Sequence, residues 1–279
     1  MHIMHILFDV VMLRFLSELF YLKNKSQTTK KGKRKMNSGF VSALKENVVF
    51  AVEFLAVIVA AFVVAYVAER YFKKKNGDTE KILATRKITV IGMFSAIAVI
   101  LYMLDFPLPF APGFYKMDFS ELPALVGAFA FGPVAGVLIE FVKVLLKLLF
   151  QGTSTAFVGD LANFLVGCCF ILPAAILYQA NKKKKTAIFA CVLGTVVMTF
   201  VGTTFNAVYL LPKFAQLYGM PLDAIIGMGT AINPAITNVT SFVICAVAPL
   251  NILKGTSISL ITLLIYKKLS PILKAGKNK

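Results

Sequence analysis

Between residues 48 and 269 the chain is a succession of apolar tracts, several close to or beyond the length of about 20 residues that a bilayer core requires. Inside hydrocarbon every backbone N–H and C=O must find a partner within the protein, so tracts of this kind cross as helices. Of the 279 residues, 58% are hydrophobic and only 15% charged, which excludes an ordinary soluble domain. The chain reads as an all-α integral membrane protein.

Residues 81–279 form the main unit. Its tracts at 88–104, 122–131, 134–150, 161–180 and 187–211 read as five helices. The last tract, 236–269, would measure about 50 Å as an unbroken helix, too long for one crossing. Pro249 is the natural divider, so the sixth span is expected at 249–265 after an interfacial piece. These six helices make a transmembrane bundle. Residues 47–80 add one further membrane helix at 48–68, which tolerates Glu53, and a charged linker. Residues 1–46 are expected to be an amphipathic segment interrupted by Asp9, Arg14 and Glu18, then an irregular Lys-rich linker over 23–46 that can meet lipid headgroups.

The net charge of +17 would suit nucleic acid, but the basic residues collect just beyond apolar tracts. Arg86, Lys87, the run 182–185, Lys267 and Lys268 lie on one side by this pattern. The alternate loops 105–117, 151–157 and 212–235 hold only Lys116 and Lys213. The positive-inside rule then places both ends of the six-helix unit inside and loop 105–117 outside, with the bilayer and not nucleic acid as the partner. The 48–68 helix fits less well, because one more crossing puts the basic 23–46 linker outside.

Chemistry-bearing residues are few. The four cysteines lie in apolar tracts with no CxxC spacing, and the two histidines are His2 and His5, so neither a metal centre nor a histidine-based catalytic site is expected in the membrane. No phosphate-binding GxxxxGK[ST], GxSxG or HExxH occurs, and no catalytic residue is assigned.

The stretch 104–136 is different in kind. Pro, Gly and aromatic residues crowd its first part, and Lys116, Asp118 and Glu121 follow at the mouth of the next helix. Acids favour that helix end, and Gly132-Pro133 ends the helix. Ionisable groups within the spans need named partners. Glu140, Lys143 and Lys147 share one face, and Glu140 can pair with Lys143, either as scaffolding or as function. Asp160 and Asn163 lie one turn apart, Asp160 being open to a capping role. Lys254 follows Asn251 and sits about 20 Å along the helix from Lys267, too deep to reach the inner surface easily. It requires an acceptor, either a carboxylate of this chain or a group on a ligand. Asn206, before Tyr209, adds a further polar group toward the outer side. A few convergent polar groups among aromatic walls suit a flat heterocyclic ligand. Two small-xxx-small spacings, Gly132–Gly136 and Gly92–Ala96, permit close helix contact, the first within the chain and the second toward another protein.

The run YKMDFSELPALVGAFAFGPVAGVLIEFVK, followed by GDLANFLVG, FNAVYLLP and PLNILKG, resembles the riboflavin-specific substrate-binding (S) components of energy-coupling factor (ECF) transporters, over about residues 82–272. The resemblance implies a six-helix subunit that captures riboflavin from outside, as cargo and without a cofactor. It implies as partners a transmembrane coupling subunit and two cytosolic ATPases. Ligand contacts are expected at Asn206, Asn251 and Lys254, with help from Asp118 and Glu121, and less directly from Asn163. Gly92 and Ala96 stand where such proteins carry an Ala-xxx-Ala contact with the coupling subunit. Loop 212–235 is longer than the family leads one to expect, and the first 80 residues have no counterpart in it. Another vitamin or a flavin nucleotide as cargo, or flavin supply or export without ATPases, are the alternative functions.

Overall fold

The computed structural model describes residues 36–77, 79, 81–153 and 157–274, with side-chain surroundings between 52 and 266. Ten helices and one two-residue strand pair account for it. Helix α1 is Met36–Asn76, α2 Thr85–Met103, α3 Glu121–Phe131, α4 Pro133–Gln151 and α5 Val158–Ala180. Helix α6, Lys184–Phe205, continues through a π-helical turn, Asn206–Leu210, into α7, Leu211–Tyr218. Helix α8 is Leu222–Thr230 and α9 Val239–Phe242. A second π-helical turn, Val243–Val247, leads into α10, Ala248–Lys274.

The short apolar helix α3 is the hub. It packs against α2, α4, α5 and α10, and α6 closes the bundle by packing on α5 and α10. Residues 123–129 of α3 are buried without exception, because neighbours cover it on every side. Gly132 follows with φ 114°, a left-handed-side conformation that glycine alone adopts freely, and Pro133 opens α4 with a ring already set for a first helical turn. The chain thus reverses in one residue. Gly136 then lets α4 lie against α3 and α5: a Cβ there would come 2.7 Å from both Ala128 Cβ and Ile171 Cγ2. The 132–136 spacing serves internal packing, as expected. Gly92 has nothing within 4 Å of where its Cβ would be, and it and Ala96 are exposed on α2.

Two expectations change. Pro249 does not divide the last tract, since a span candidate runs Val239–Tyr266 without interruption. The π-helical turn just upstream absorbs the proline: its i→i+5 bonding, with Ala248 N–H donating to the Val243 carbonyl, shifts the ladder where Pro249 has no donor. Loop 212–235 is not irregular either, but folds as α7 and α8 over the outer end. There they pack with the 105–117 loop into a second apolar cluster that includes Leu211, Phe214, Ile225, Ile236 and Phe242.

Among the described residues, five helices are long and apolar enough to cross a membrane by length and composition. Helix α4 is of similar length but carries Glu140, Lys143 and Lys147. Helix α1 starts at Met36, so residues 36–46, expected as linker, are helical; residues 1–35 lie outside the described residues. Helix α1 lies across α4 and α5. Its Glu53 meets Tyr209 near the outer cap, and its Glu69 meets the start of α4 at the opposite end. It therefore runs antiparallel to α2, and its Lys73, Lys74 and Lys75 reach the end that also carries Arg86.

Candidate substrate-binding site

Helices α3 and α4 pack antiparallel about the reversal at Gly132, so residues equidistant from it come side by side. Glu121 lies eleven residues before Gly132 and Lys143 eleven after. The Lys143 ammonium sits 3.4 Å from Glu121 Oε1, donates to Ser120 Oγ at 2.9 Å, and forms a 2.6 Å ion pair with Glu140 Oε2. From α10, Lys254 donates to Asp118 Oδ2 at 3.0 Å and to Glu121 Oε1 at 2.9 Å. Two lysines and three carboxylates thus share one network, every member buried. Glu121 stands between the two ammonium groups and offsets their repulsion. Charges withdrawn from water in this way persist only when each is paired.

Asp118 sits in the loop before α3 and accepts the Ser120 N–H at 2.8 Å. Burial on its own pushes its carboxyl up; Lys254 and Lys143, with Ser120, more than offset this and hold it below its ordinary value. Beside the network, Lys147 pairs with Asp160 at 2.7 Å, and the ring of Tyr102 lies 5.4 Å from Lys143 Nζ and 5.7 Å from Lys147 Nζ. Asp160 is therefore an ion-pair partner in the first turn of α5 and not its cap, a position held by Phe157.

The outer loop is tied down twice. The Tyr115 hydroxyl donates to Asn206 Oδ1 on the π-helical turn after α6, and Asp118 holds Lys254. Burial raises the Tyr115 phenol well above its ordinary range, so it remains a donor. Strands β1 (Phe106–Pro107) and β2 (Lys116–Met117) pair antiparallel beneath an exposed Lys116–Asp105 bridge. Phe114 packs against Phe214 and Tyr115 against Phe242, so the loop seats on α7 and α9.

Asn206 donates to the Gly202 carbonyl at 2.8 Å, and Asn251 packs so close to Gly202 that a Cβ there would be 2.8 Å from its Nδ2. The two asparagines thus meet at Gly202, on the α6–α10 side, and Asn206 reaches the loop through Tyr115. Asp118, Glu121 and Lys254 gather in the charged network. Asn163 is half-buried on α5, and its Oδ1 has no protein partner. The open choice for Lys254 resolves toward carboxylates of the chain itself. Glu121 Oε2, Asp160 Oδ2 and Asn163 Oδ1 are among the buried polar atoms that accept no hydrogen bond from the protein. Among the described residues no group of three or more His, Cys, Asp or Glu is arranged to hold a metal ion.

Sequence reasoning did not anticipate the links from Lys143 to Glu121 and Ser120, the Lys147–Asp160 pair, or the roles of Tyr115, Glu53 and Glu69. The spacing of Lys143 and Glu121 around Gly132 was the available signal for the first.

The described residues thus form a helical bundle that buries a charged network beneath a cap built from the 105–117 loop, α7, α8 and α9. The family model described as "ECF transporter, substrate-specific component" matches residues 86–266, and the chain belongs to that family, one of transport components and not of enzymes. Among its relatives is "Riboflavin transporter RibU" of Staphylococcus aureus (strain TCH60), 38% identical over 189 residues that cover 68% of this chain and 93% of that protein. "Riboflavin transporter FmnP" of Bacillus subtilis (strain 168) is 33% identical over 190 residues, 68% of this chain and 94% of that protein. A solved structure of the S component of a bacterial ECF transporter is 36% identical, with a TM-score of 0.53, covering 67% of this chain and 97% of that one. Helix α1 precedes the matched region.

Proposed function

We propose that this chain is the membrane subunit that captures riboflavin from the outer side for an ATP-driven ECF transporter. The observation that carries this reading is its likeness, over nearly their whole length, to two relatives described as riboflavin transporters. The site geometry supports it. In this reading the isoalloxazine ring stacks on aromatic and aliphatic walls under the 105–117 loop, while Asn206, Asn251 and Lys254 hydrogen-bond its heteroatoms or the ribityl hydroxyls. The acceptors on Glu121 and Asn163 suit ribityl hydroxyls, which are donors. Binding here needs no chemistry. Release falls to a transmembrane coupling subunit, which meets the bundle through the outward face of α2 at Gly92 and Ala96, and to two cytosolic ATPases that drive it.

Purification in detergent tests this directly. A yellow preparation whose bound compound has the mass of riboflavin, and which quenches riboflavin fluorescence on titration, supports it. A colourless protein that leaves riboflavin fluorescence unchanged overturns it, and competition by thiamine, pantothenate or flavin mononucleotide reassigns the cargo.

A further inference from the structure

Helix α1 lies outside the family-matched region, yet it is tied into the bundle at both ends of its crossing. Near the outer end the Tyr209 hydroxyl donates to Glu53 Oε2 at 2.7 Å. At the inner end Glu69, itself buried, accepts the Val134 N–H at 3.0 Å. That N–H is one of the orphan donors of the first turn of α4, and the residue in the N-cap position, Gly132, has no side chain to satisfy it. Between these anchors, Phe54 and Val57 pack on the outer apolar cluster, and Val57, Ile58 and Phe62 pack on the main one. Ala61 and Ala65 are buried, so the contact is close. One helix therefore fastens the outer cap to the bundle core.

The outer anchor falls on a sensitive element. Tyr209 and Asn206 belong to the same π-helical turn, Asn206–Leu210. Such a turn carries an extra residue in the helical ladder and persists where outside contacts hold it. Here the contacts come from two directions: Tyr115 holds Asn206 from the loop, and Glu53 holds Tyr209 from α1. Tyr209 is also stacked on Phe205, with ring centroids 5.1 Å apart at 13°. Losing the Glu53 contact frees one side of the turn that presents Asn206.

We propose that α1 is a lateral brace of the substrate site, in which Glu53 is a positioning residue that acts through Tyr209 on Asn206. The ligand-affinity part rests on the riboflavin reading; the brace itself does not. Two measurements on the full-length protein separate the two. The first, without ligand, is hydrogen–deuterium exchange over 205–211 in the wild type, Glu53→Ala and Tyr209→Phe. Both variants exchange faster there, with the 121–131 peptides unchanged; wild-type exchange over 205–211 overturns the brace. The second is a riboflavin titration of the two variants, their double mutant and Glu53→Gln. Each single variant weakens binding about threefold to tenfold, the range a single hydrogen bond supports. The double mutant is no weaker than either single one, and Glu53→Gln, whose amide oxygen still accepts, stays near the wild type. Single variants that bind as the wild type does, or losses that multiply in the double mutant, overturn the positioning role. A wild type that binds no riboflavin while exchange over 205–211 responds to Glu53→Ala overturns the riboflavin reading and leaves the brace supported.

Discussion

Lys254 is central to the charged network, and the proposed function gives it a double role. It neutralises Asp118 and Glu121 in the free protein, and it stands where a ligand contact is expected. Replacing it with methionine leaves two buried carboxylates short of a cation, a loss of about 3–5 kcal/mol for a broken buried pair. The expected result is a lowered melting temperature together with lost riboflavin quenching, and adding Asp118→Asn restores part of the melting temperature but not the binding. Tyr115→Phe removes one hydrogen bond to Asn206, worth about 1 kcal/mol. It weakens flavin capture in a titration while the melting temperature stays close to that of the wild type. Asp118 also makes a pH prediction. Its carboxyl lies below its ordinary value in the folded protein, so its ionisation favours folding. That contribution is complete above the unfolded carboxylate pKa of about 3.9 and is lost as pH falls through the lower folded value. The melting-temperature gap between wild type and Asp118→Asn is therefore constant from about pH 8 to about pH 5 and narrows only below about pH 4.

At the scale of elements, the reversal at Gly132–Pro133 does most to build the site, because it sets Glu121 beside Lys143. The two small-xxx-small spacings then make opposite predictions. Gly136 lies against Ala128 and Ile171, so Gly136→Val overpacks the α3–α4–α5 contact at a cost of about 1–3 kcal/mol or more. Its melting temperature and its flavin binding fall together. Gly92 faces open space. Gly92→Val is expected to keep both properties and to lose co-purification with the coupling subunit, which a pull-down from membranes measures. Equal recovery of the coupling subunit with the variant would move the docking face elsewhere on the bundle.

For the whole molecule, the proposed function assigns capture to this chain and transport to its ECF partners. Membrane vesicles that contain this chain alone are expected to bind riboflavin but not to accumulate it on addition of ATP, and accumulation is expected once the coupling subunit and ATPases are present. Accumulation by the chain alone, followed with labelled riboflavin, would assign it a stand-alone transport role. Helix α1 gives this molecule a feature beyond the family-matched bundle: it crosses from the side of the outer cap to the side of Lys73–Lys75, and its carboxylates secure elements at both faces.

Fold class, the positions of most spans, and the polar residues inside them were legible in the sequence, because hydrocarbon tolerates only helices and makes each charge conspicuous. The motifs around Asp118, Asn206 and Lys254 pointed to the family only through their resemblance to it. Partners were not legible. Whether Lys254 faces a carboxylate or a ligand depends on residues 133 and 136 positions away in the chain, and only packing decides which of them arrive. The helical path through Pro249 and the folding of 212–235 into α7 and α8 were likewise settled by tertiary structure: a π-helical turn can absorb a missing donor, and an outer apolar cluster can bury a tract that looks like a loop.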